Sequence, residues 1–331
     1  MARSWSWSAA MPPEFAAAGW PGPIGALSGL AAEAVLGYPA ALHRRLPHPV
    51  VWLGGAISGL ERAWNRPELS PMLRRALGVF TVALVAGAAA GAGWGLQRLC
   101  GDLPFGLILF ALIASVGLAQ RSLHDHVAAV RDALRAGDLP SARTAVAQIV
   151  GRDTAALNES EIAGAAIESL AESFNDGVVA PAFWLAIAGL PGLFAYKALN
   201  TADSLIGHRE PRWRDFGWAA ARADDLANLV PARLAGLLIA LAGRRGLTVM
   251  RRDAPRHASP NAGWPEAAMA GALGVSLGGP AAYDGVLVSR PRFGGGRATA
   301  LVDLERGLRL YRRACAVLWV LVAAGGIAWP P

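Results

Sequence analysis

Residues 76–96 read ALGVFTVALVAGAAAGAGWGL, a run without one charged side chain. A helix needs about 20 apolar residues to cross the hydrocarbon core of a bilayer, so this stretch specifies a membrane span. Its many Gly and Ala residues let a neighbouring helix approach closely. Working outward, three more runs share the pattern: residues 24–42, weakened by Glu33 and Pro39, residues 104–119, and residues 314–329. Two others are too short. Residues 178–190 stop at Pro191-Gly192 before a brief continuation over 193–196, and residues 229–242 contain Pro231 and Arg233. Runs of this length suit re-entrant, interfacial or protein-buried helices. If 178–196 crossed the bilayer, the polar clusters on its two sides would face opposite compartments; if it dips and returns, they meet. The dip is the favoured reading.

Composition agrees with the lipid reading. The chain has 331 residues, 54% hydrophobic and 17% charged, where a soluble chain carries about 25% charged residues. Net charge is +7, and Lys197 is the only lysine among the basic residues. Arginine grips carboxylates and phosphates in a two-pronged geometry. Much of the Ala, Gly and Arg excess is bias across the whole chain, so arginine informs only in particular polar loops. Cys100 and Cys315 lie far apart in apolar surroundings and offer neither a disulfide framework nor a metal site. Residues 1–23, with Trp5, Trp7, Phe15 and Trp20 among Pro, Ser and Ala, read as a flexible arm. They lack the basic-then-apolar order of a cleaved signal peptide.

Arg44, Arg45, Arg62, Arg66, Arg74 and Arg75 crowd the loop between the first two spans. Arg121, Arg131, Arg135, Arg143 and Arg152 follow the third. The positive-inside rule makes both cytoplasmic. The expected fold is therefore all-α: a polytopic integral membrane protein with about four spanning helices, short re-entrant or interfacial helices and a cytoplasmic helical region. Residues 24–331 read as a single membrane-embedded domain, with a helical insertion over about 120–176. Within it, Asp138 marks one helix start, and Asn158 with Glu161 forms a capping arrangement for another.

Four polar clusters carry the chemistry. In ESLAESFNDG, Glu168 and Glu172 are four apart and stack on one helical face, and Asp176 can extend the row beside Asn175. Hard cations such as Mg2+ take such oxygen ligands together with substrate phosphates. In YKALNTADSLIGHR, helical spacing aligns Lys197 with Asn200 and Ser204, and Asn200 with Asp203; Arg209 closes the segment. In ARADDLANLVPARL, Arg222 precedes Asp224 and Asp225, with Asn228 one turn on. In RHASPNAGWPEAAMAG, His257, Ser259 and Asn261 make a polar turn before a Pro265-started helix bearing Glu266, a seat for phosphate or carboxylate. Each cluster also has a plain structural reading: solvated faces, a snorkelling lysine, an Arg222–Asp225 pair and a capped helix. No P-loop is present, so ATP use needs another scaffold.

In ESLAESFNDGVVAPAFW, YKALNTADSLIGHR, RWRDFGWAAARADDLANLVPARL and HASPNAGWPEAAMAGALGVSLGGPAAYDG the chain resembles the CobD/CbiB family, the adenosylcobinamide-phosphate synthases of cobalamin biosynthesis. The likeness runs from about residue 48 to 296. It implies a multi-pass bacterial inner-membrane enzyme with a cytoplasmic active face. That enzyme would be a carbon–nitrogen ligase using ATP and Mg2+ to join adenosylcobyric acid to (R)-1-aminopropan-2-ol phosphate or a related amino-alcohol phosphate. The chemistry assigns catalysis to Glu168, Glu172, Asp176 and Lys197. Asn175, Asn200, Arg209, Arg222, His257, Ser259, Asn261 and Glu266 go to substrate and ATP binding, and Asp203, Asp224 and Asp225 to metal. Partners are the two substrates and the lipid bilayer, not nucleic acid; a homo-oligomer or assembly with other cobalamin-pathway membrane enzymes stays open. The sequence departs from the family pattern at Gly37-Tyr38-Pro39, at Glu172-Ser173 and at Gly294-Gly295-Gly296, where acidic or Asn positions are usual.

Two alternatives remain from the residues alone. The Asn/Asp clusters suit a Mg-dependent prenyl or alcohol-phosphate transferase acting on a lipid diphosphate without ATP. Polar segments between apolar ones also suit a corrinoid transporter or scaffold. A pyridoxal-phosphate enzyme would have to use Lys197, at the edge of a membrane segment in a chain with no α/β pattern.

Overall fold

The structure is a computed structural model that describes residues 22–37 and 48–328. The N-terminal arm falls almost wholly outside those residues, as do Tyr38 and Pro39. In chain order the helices are α1 (Pro23–Leu36), α2 (Pro49–Trp64), α3 (Pro71–Gly101), α4 (Gly106–Ser115), α5 (Gln120–Arg135), α6 (Leu139–Ala147) and α7 (Glu159–Phe174). A π-helical turn, Asn175–Val179, joins α7 to α8 (Ala180–Ile206). Then come α9 (Trp218–Ala227), α10 (Leu229–Gly243), α11 (Leu247–Asp253), α12 (Gly263–Leu273) and α13 (Leu301–Ala328). Between α12 and α13 lie two antiparallel two-stranded ribbons, β1 (Leu277–Gly278) with β4 (Arg292–Phe293) and β2 (Ala281–Tyr283) with β3 (Val286–Val288). The fold is that of an all-α polytopic membrane protein.

Among the described residues four segments are long and apolar enough to cross a membrane: Pro71–Gly101, Gly106–Arg135, Glu159–Ile206 and Leu301–Ile327. A fifth pair, α9 and α10, qualifies only as a bent unit with a 49° break. In the second segment only the part before Gln120 is free of charge; α5 buries Leu123, Val127, Val130 and Leu134 and carries its charges on the other side. Likewise α13 is arginine-rich up to Arg313 and apolar beyond it. The loop expected between the first two spans contains a helix, α2, whose buried Glu61 is gripped by both prongs of Arg212 at 3.1 and 3.0 Å. The span expected over 24–42 is shorter than its run: α1 stops at Leu36 with Gly37 as its cap.

The third segment decides where the chemistry sits, because it folds back on itself. Asn200 donates to Asp176 at 3.4 Å, although the two are 24 residues apart; a straight helix would separate them by about 36 Å. The turn is at Gly189, whose φ of 62° and ψ of −152° lie outside the helical region. The break therefore falls two residues before Pro191. Residues 178–196 fold back on themselves, as expected from the Pro-Gly interruption. A broken helix in an apolar setting must find partners for its freed backbone groups. Here the Leu190 N–H donates to the buried Gln97 side chain of α3 at 2.9 Å. α3 can lie this close because residue 93 is glycine: a Cβ there would stand 2.6 Å from the Leu190 carbonyl oxygen.

The hairpin is tied to the start of α5. At its mouth the Ala119 N–H donates to the Gly177 carbonyl at 2.8 Å, and Tyr311 of α13 donates to the Gln120 carbonyl at 2.7 Å. Glu33, read from sequence as a blemish in the first span, has a definite task. Its buried carboxylate accepts from the Arg121 N–H at 2.9 and 2.8 Å and from the Ser122 N–H at 3.3 Å. It thus satisfies donors that the start of α5 would otherwise leave bare. The capping pair Asn158 and Glu161 opens α7, and the Asp138 carboxylate caps α6, both as the sequence predicts.

Candidate functional site

The π turn carries Asn175 and Asp176. Such turns insert an extra residue in a helix and often mark functional positions. Here the turn sets Asp176 at the hairpin mouth, opposite Lys197 and Asn200 on the returning arm and Asp224 and Asn228 at the α9–α10 bend. The result is a net of amide side chains holding carboxylates. Asn175 donates to Asp176 at 2.7 Å and to Asn228 at 2.8 Å. Asn200 donates to Asp176 and, at 3.3 Å, to Asp224. Asn228 donates to the Asp224 carboxylate at 3.0 Å and receives the Tyr196 hydroxyl at 3.1 Å.

Of these groups Asn175, Asp176, Asp224 and Asn228 wall a cavity of about 420 Å³. Glu172, Asn175, Asp176, Asp203, Asp224 and Asp225 supply its acidic side; Arg209, His257, Ser259 and Asn261 lie across from them. Among the described residues the Arg209 guanidinium has only the Ala258 carbonyl, at 3.5 Å, as a hydrogen-bond acceptor. The last polar turn is fixed locally: the Ser259 hydroxyl accepts from the Asn261 and Ala262 N–H groups at 3.2 and 3.3 Å, and Asn261 donates to the Asp225 carbonyl at 2.8 Å. The helix it precedes starts at Gly263, before Pro265. All four sequence clusters thus contribute side chains to the lining, the first through Glu172, Asn175 and Asp176.

Five candidates stand outside this lining: Lys197 and Asn200, on the returning arm of the hairpin, and Glu168, Arg222 and Glu266. Glu168 faces away from the cavity: Arg152 and Arg290 pair with it, and the Gly278 N–H donates to it at 2.8 Å. It fastens the ribbons to α7. Arg222 is exposed and pairs with Asp225 at 3.8 Å. Glu266 is 1% exposed, lies 3.8 Å from His257 and leaves Oε2 without a partner. Burial, reinforced by Glu172 and Glu168, pushes the Glu266 carboxyl well above its ordinary range, while burial holds the His257 imidazole low. The Ser259 N–H donates to His257 Nδ1 at 2.9 Å, which leaves Nε2 to carry the proton of the neutral ring.

Sequence reading did not list Tyr196 or Asn228 among site residues, though both flank residues that it did list. Arg152 and Arg290 carry no local signal, since their partner is 16 and 122 residues away.

Among the described residues no group of three or more His, Cys, Asp and Glu is placed to hold a metal ion unaided. Mg2+ keeps several waters and takes one or two carboxylates with substrate phosphates. The all-oxygen donors Asp203, Asp224 and Asp225, with the unpartnered buried Asn175 Oδ1 nearby, therefore fit a cation that arrives with a nucleotide.

Fold and site together define a membrane-embedded protein with a carboxylate-walled cavity at the mouth of a re-entrant hairpin. A family model described as CobD/Cbib protein matches residues 26–311. The chain belongs to the CobD/CbiB family. It is 49% identical over 302 residues to a Rhodobacter capsulatus protein named cobalamin biosynthesis protein CobD, covering 90% of this chain and 95% of that one. A Sinorhizobium protein of the same name is 50% identical over 307 residues, covering 89% and 95%. A third, from Rhizobium meliloti, is 48% identical over 307 residues, covering 89% and 94%. No solved structure matches the chain.

Proposed function

We propose that this protein acts in cobalamin biosynthesis as an ATP-dependent carbon–nitrogen ligase. It would join adenosylcobyric acid to (R)-1-aminopropan-2-ol phosphate, or a related amino-alcohol phosphate, to give adenosylcobinamide phosphate. Family membership and the names of the relatives support the pathway. The observation that carries the reaction class is the cavity itself, where Asp176 and Asp224, held only by amides among the described residues, share the lining with Arg209.

A free carboxylate acylates poorly because oxide is its leaving group. In the proposed reaction its oxygen attacks the γ-phosphorus of ATP, ADP departs, and an acyl phosphate forms. The amine nitrogen then attacks the acyl carbon; the C–O bond breaks and inorganic phosphate leaves with the electron pair. The ammonium must first lose a proton, and Asp176 and Glu172 are the carboxylates at the mouth that can accept it. Arg209 would hold transferred phosphate. Asp203, Asp224 and Asp225 would hold Mg2+, which neutralises phosphate charge when bound. Asn175, Asn200 and Asn228 keep the carboxylates in place without cancelling their charge. The cluster of arginines on one side supports a cytoplasmic active face in the bacterial inner membrane.

The test is direct. The full chain in lipid nanodiscs, given adenosylcobyric acid, Mg-ATP and aminopropanol phosphate, should release ADP and form the amide, and a chelator should stop both. Asp176→Ala and Asp225→Ala should abolish turnover while the protein still inserts. ATP-independent transfer from a lipid diphosphate would replace this reading with a transferase.

A further inference from the structure

A second cavity, of about 360 Å³, lies on the other side of Asp176, between the returning arm of the hairpin, α5 and the end of α6. Lys197, Ser122, Ser173 and Asn200 line it, and Asp176 lines both cavities. We infer that this second chamber seats a small zwitterion, an amino-alcohol phosphate, with its phosphate on Lys197 and its ammonium against Asp176.

The inference rests on the ligase reading and names which substrate sits where. Lys197 is the only lysine in the chain. No hydrogen bond or ion pair to its ammonium exists among the described residues; only its backbone carbonyl is engaged, by Thr201. The acidic charges that act on it are Asp176 and Asp224. A chamber with a free cation inside it and a carboxylate in its wall complements a ligand carrying one charge of each sign. The hydroxyls of Ser122 and Ser173 add donors for phosphate oxygens, and the Asn200 amide, bonded to Asp176 and Asp224, holds the partition between the cavities. An amine resting on Asp176 then faces the cavity in which the acyl phosphate would form, so the partition both binds the nucleophile and aims it.

Lys197 also borders an apolar groove of about 520 Å³, lined by residues such as Trp52, Leu53 and Phe194. A phosphatidylethanolamine headgroup carries the same pair of charges, so the experiment must separate free ester from lipid. Binding of radiolabelled O-phosphoethanolamine and of Mg-ATP would be measured separately on the full chain in phosphatidylcholine nanodiscs. Lys197→Met should weaken phosphoethanolamine binding at least about tenfold and leave Mg-ATP within about twofold. Lys197→Arg should recover part of the loss. Asp176→Asn should weaken phosphoethanolamine but not inorganic phosphate. Unchanged phosphoethanolamine binding in Lys197→Met, or a loss confined to Mg-ATP, overturns the assignment, as does displacement of the ester by phosphatidylethanolamine in the disc. If the amine phosphate binds as described and no amide forms, the chamber stands and the ligase reading falls; if turnover is intact but Lys197→Met binds the ester normally, the reverse holds.

Discussion

Two groups of carboxylates in this molecule are held in opposite ways. Asp253 and Asp303 are fully buried, and each is saturated. Arg252 and Arg256 bind Asp253, which also accepts from the Gly294 N–H at 2.8 Å. Arg297 and Arg306 bind Asp303, which accepts from the Ala300 N–H at 3.0 Å. Asp176 and Asp224, half-buried at the hairpin mouth, have no arginine or lysine in an ion pair among the described residues; asparagines alone hold them. A guanidinium fixes a carboxylate and uses up its charge. An amide fixes it and leaves the charge for something else to meet. The first group ties loops to helices, and the second has the character of a binding site.

Neutralising the second group should have the largest effect. Asp224→Asn is expected to cut amide formation at least about a hundredfold, with an unfolding midpoint close to that of the parent in the same detergent. An equal loss of stability would erase the distinction between the two groups.

Asp253→Asn should do the opposite. Turnover per folded molecule should persist, while stability falls by about 2 kcal/mol, because two guanidiniums lose their countercharge and one acceptor oxygen becomes an amide donor; denaturant titration checks this. The arginine beside it, Arg252 foremost, holds the Asp253 carboxyl down at about 2. Its ordinary value is higher, so its contribution to stability is complete above about pH 4 and disappears as pH falls toward 2. Melting curves of Asp253→Asn should lack that part of the acid loss, and a pH dependence identical to the parent would contradict the pairing.

The smallest expected effect lies at the hairpin tip. Gln97→Leu leaves the buried Leu190 N–H without an acceptor and should cost about 1–2 kcal/mol, read as a lower melting temperature with the nucleotide affinity nearly intact.

Much of this plan is legible in the sequence where the signal is local. Charge-free runs mark the spans, Asn158 with Glu161 marks a helix start, and Pro191-Gly192 announces the dip, though the turn itself is at Gly189. The α2 helix hides in a stretch whose arginines read as loop. The acidic and amide residues that line the cavity are visible as clusters because each sits within one or two turns of its neighbours. What cannot be read is which carboxylates are already paired. Glu168 and Glu172 look alike four residues apart, yet Arg152 and Arg290 engage the first while the second lines the cavity. Periodicity reports which face of a helix is buried and says nothing about partners over 100 residues distant. Glu33 is the same lesson in reverse: its value comes from a helix start 88 residues away.

The tether between Gln97 and Leu190 has a mechanical corollary. α3 is 31 residues long and adjusts its tilt to the thickness of the surrounding lipid. Since the hairpin tip is bonded to it, the tip follows that tilt. Acyl-chain length in the host membrane thereby reaches the re-entrant hairpin through one glutamine.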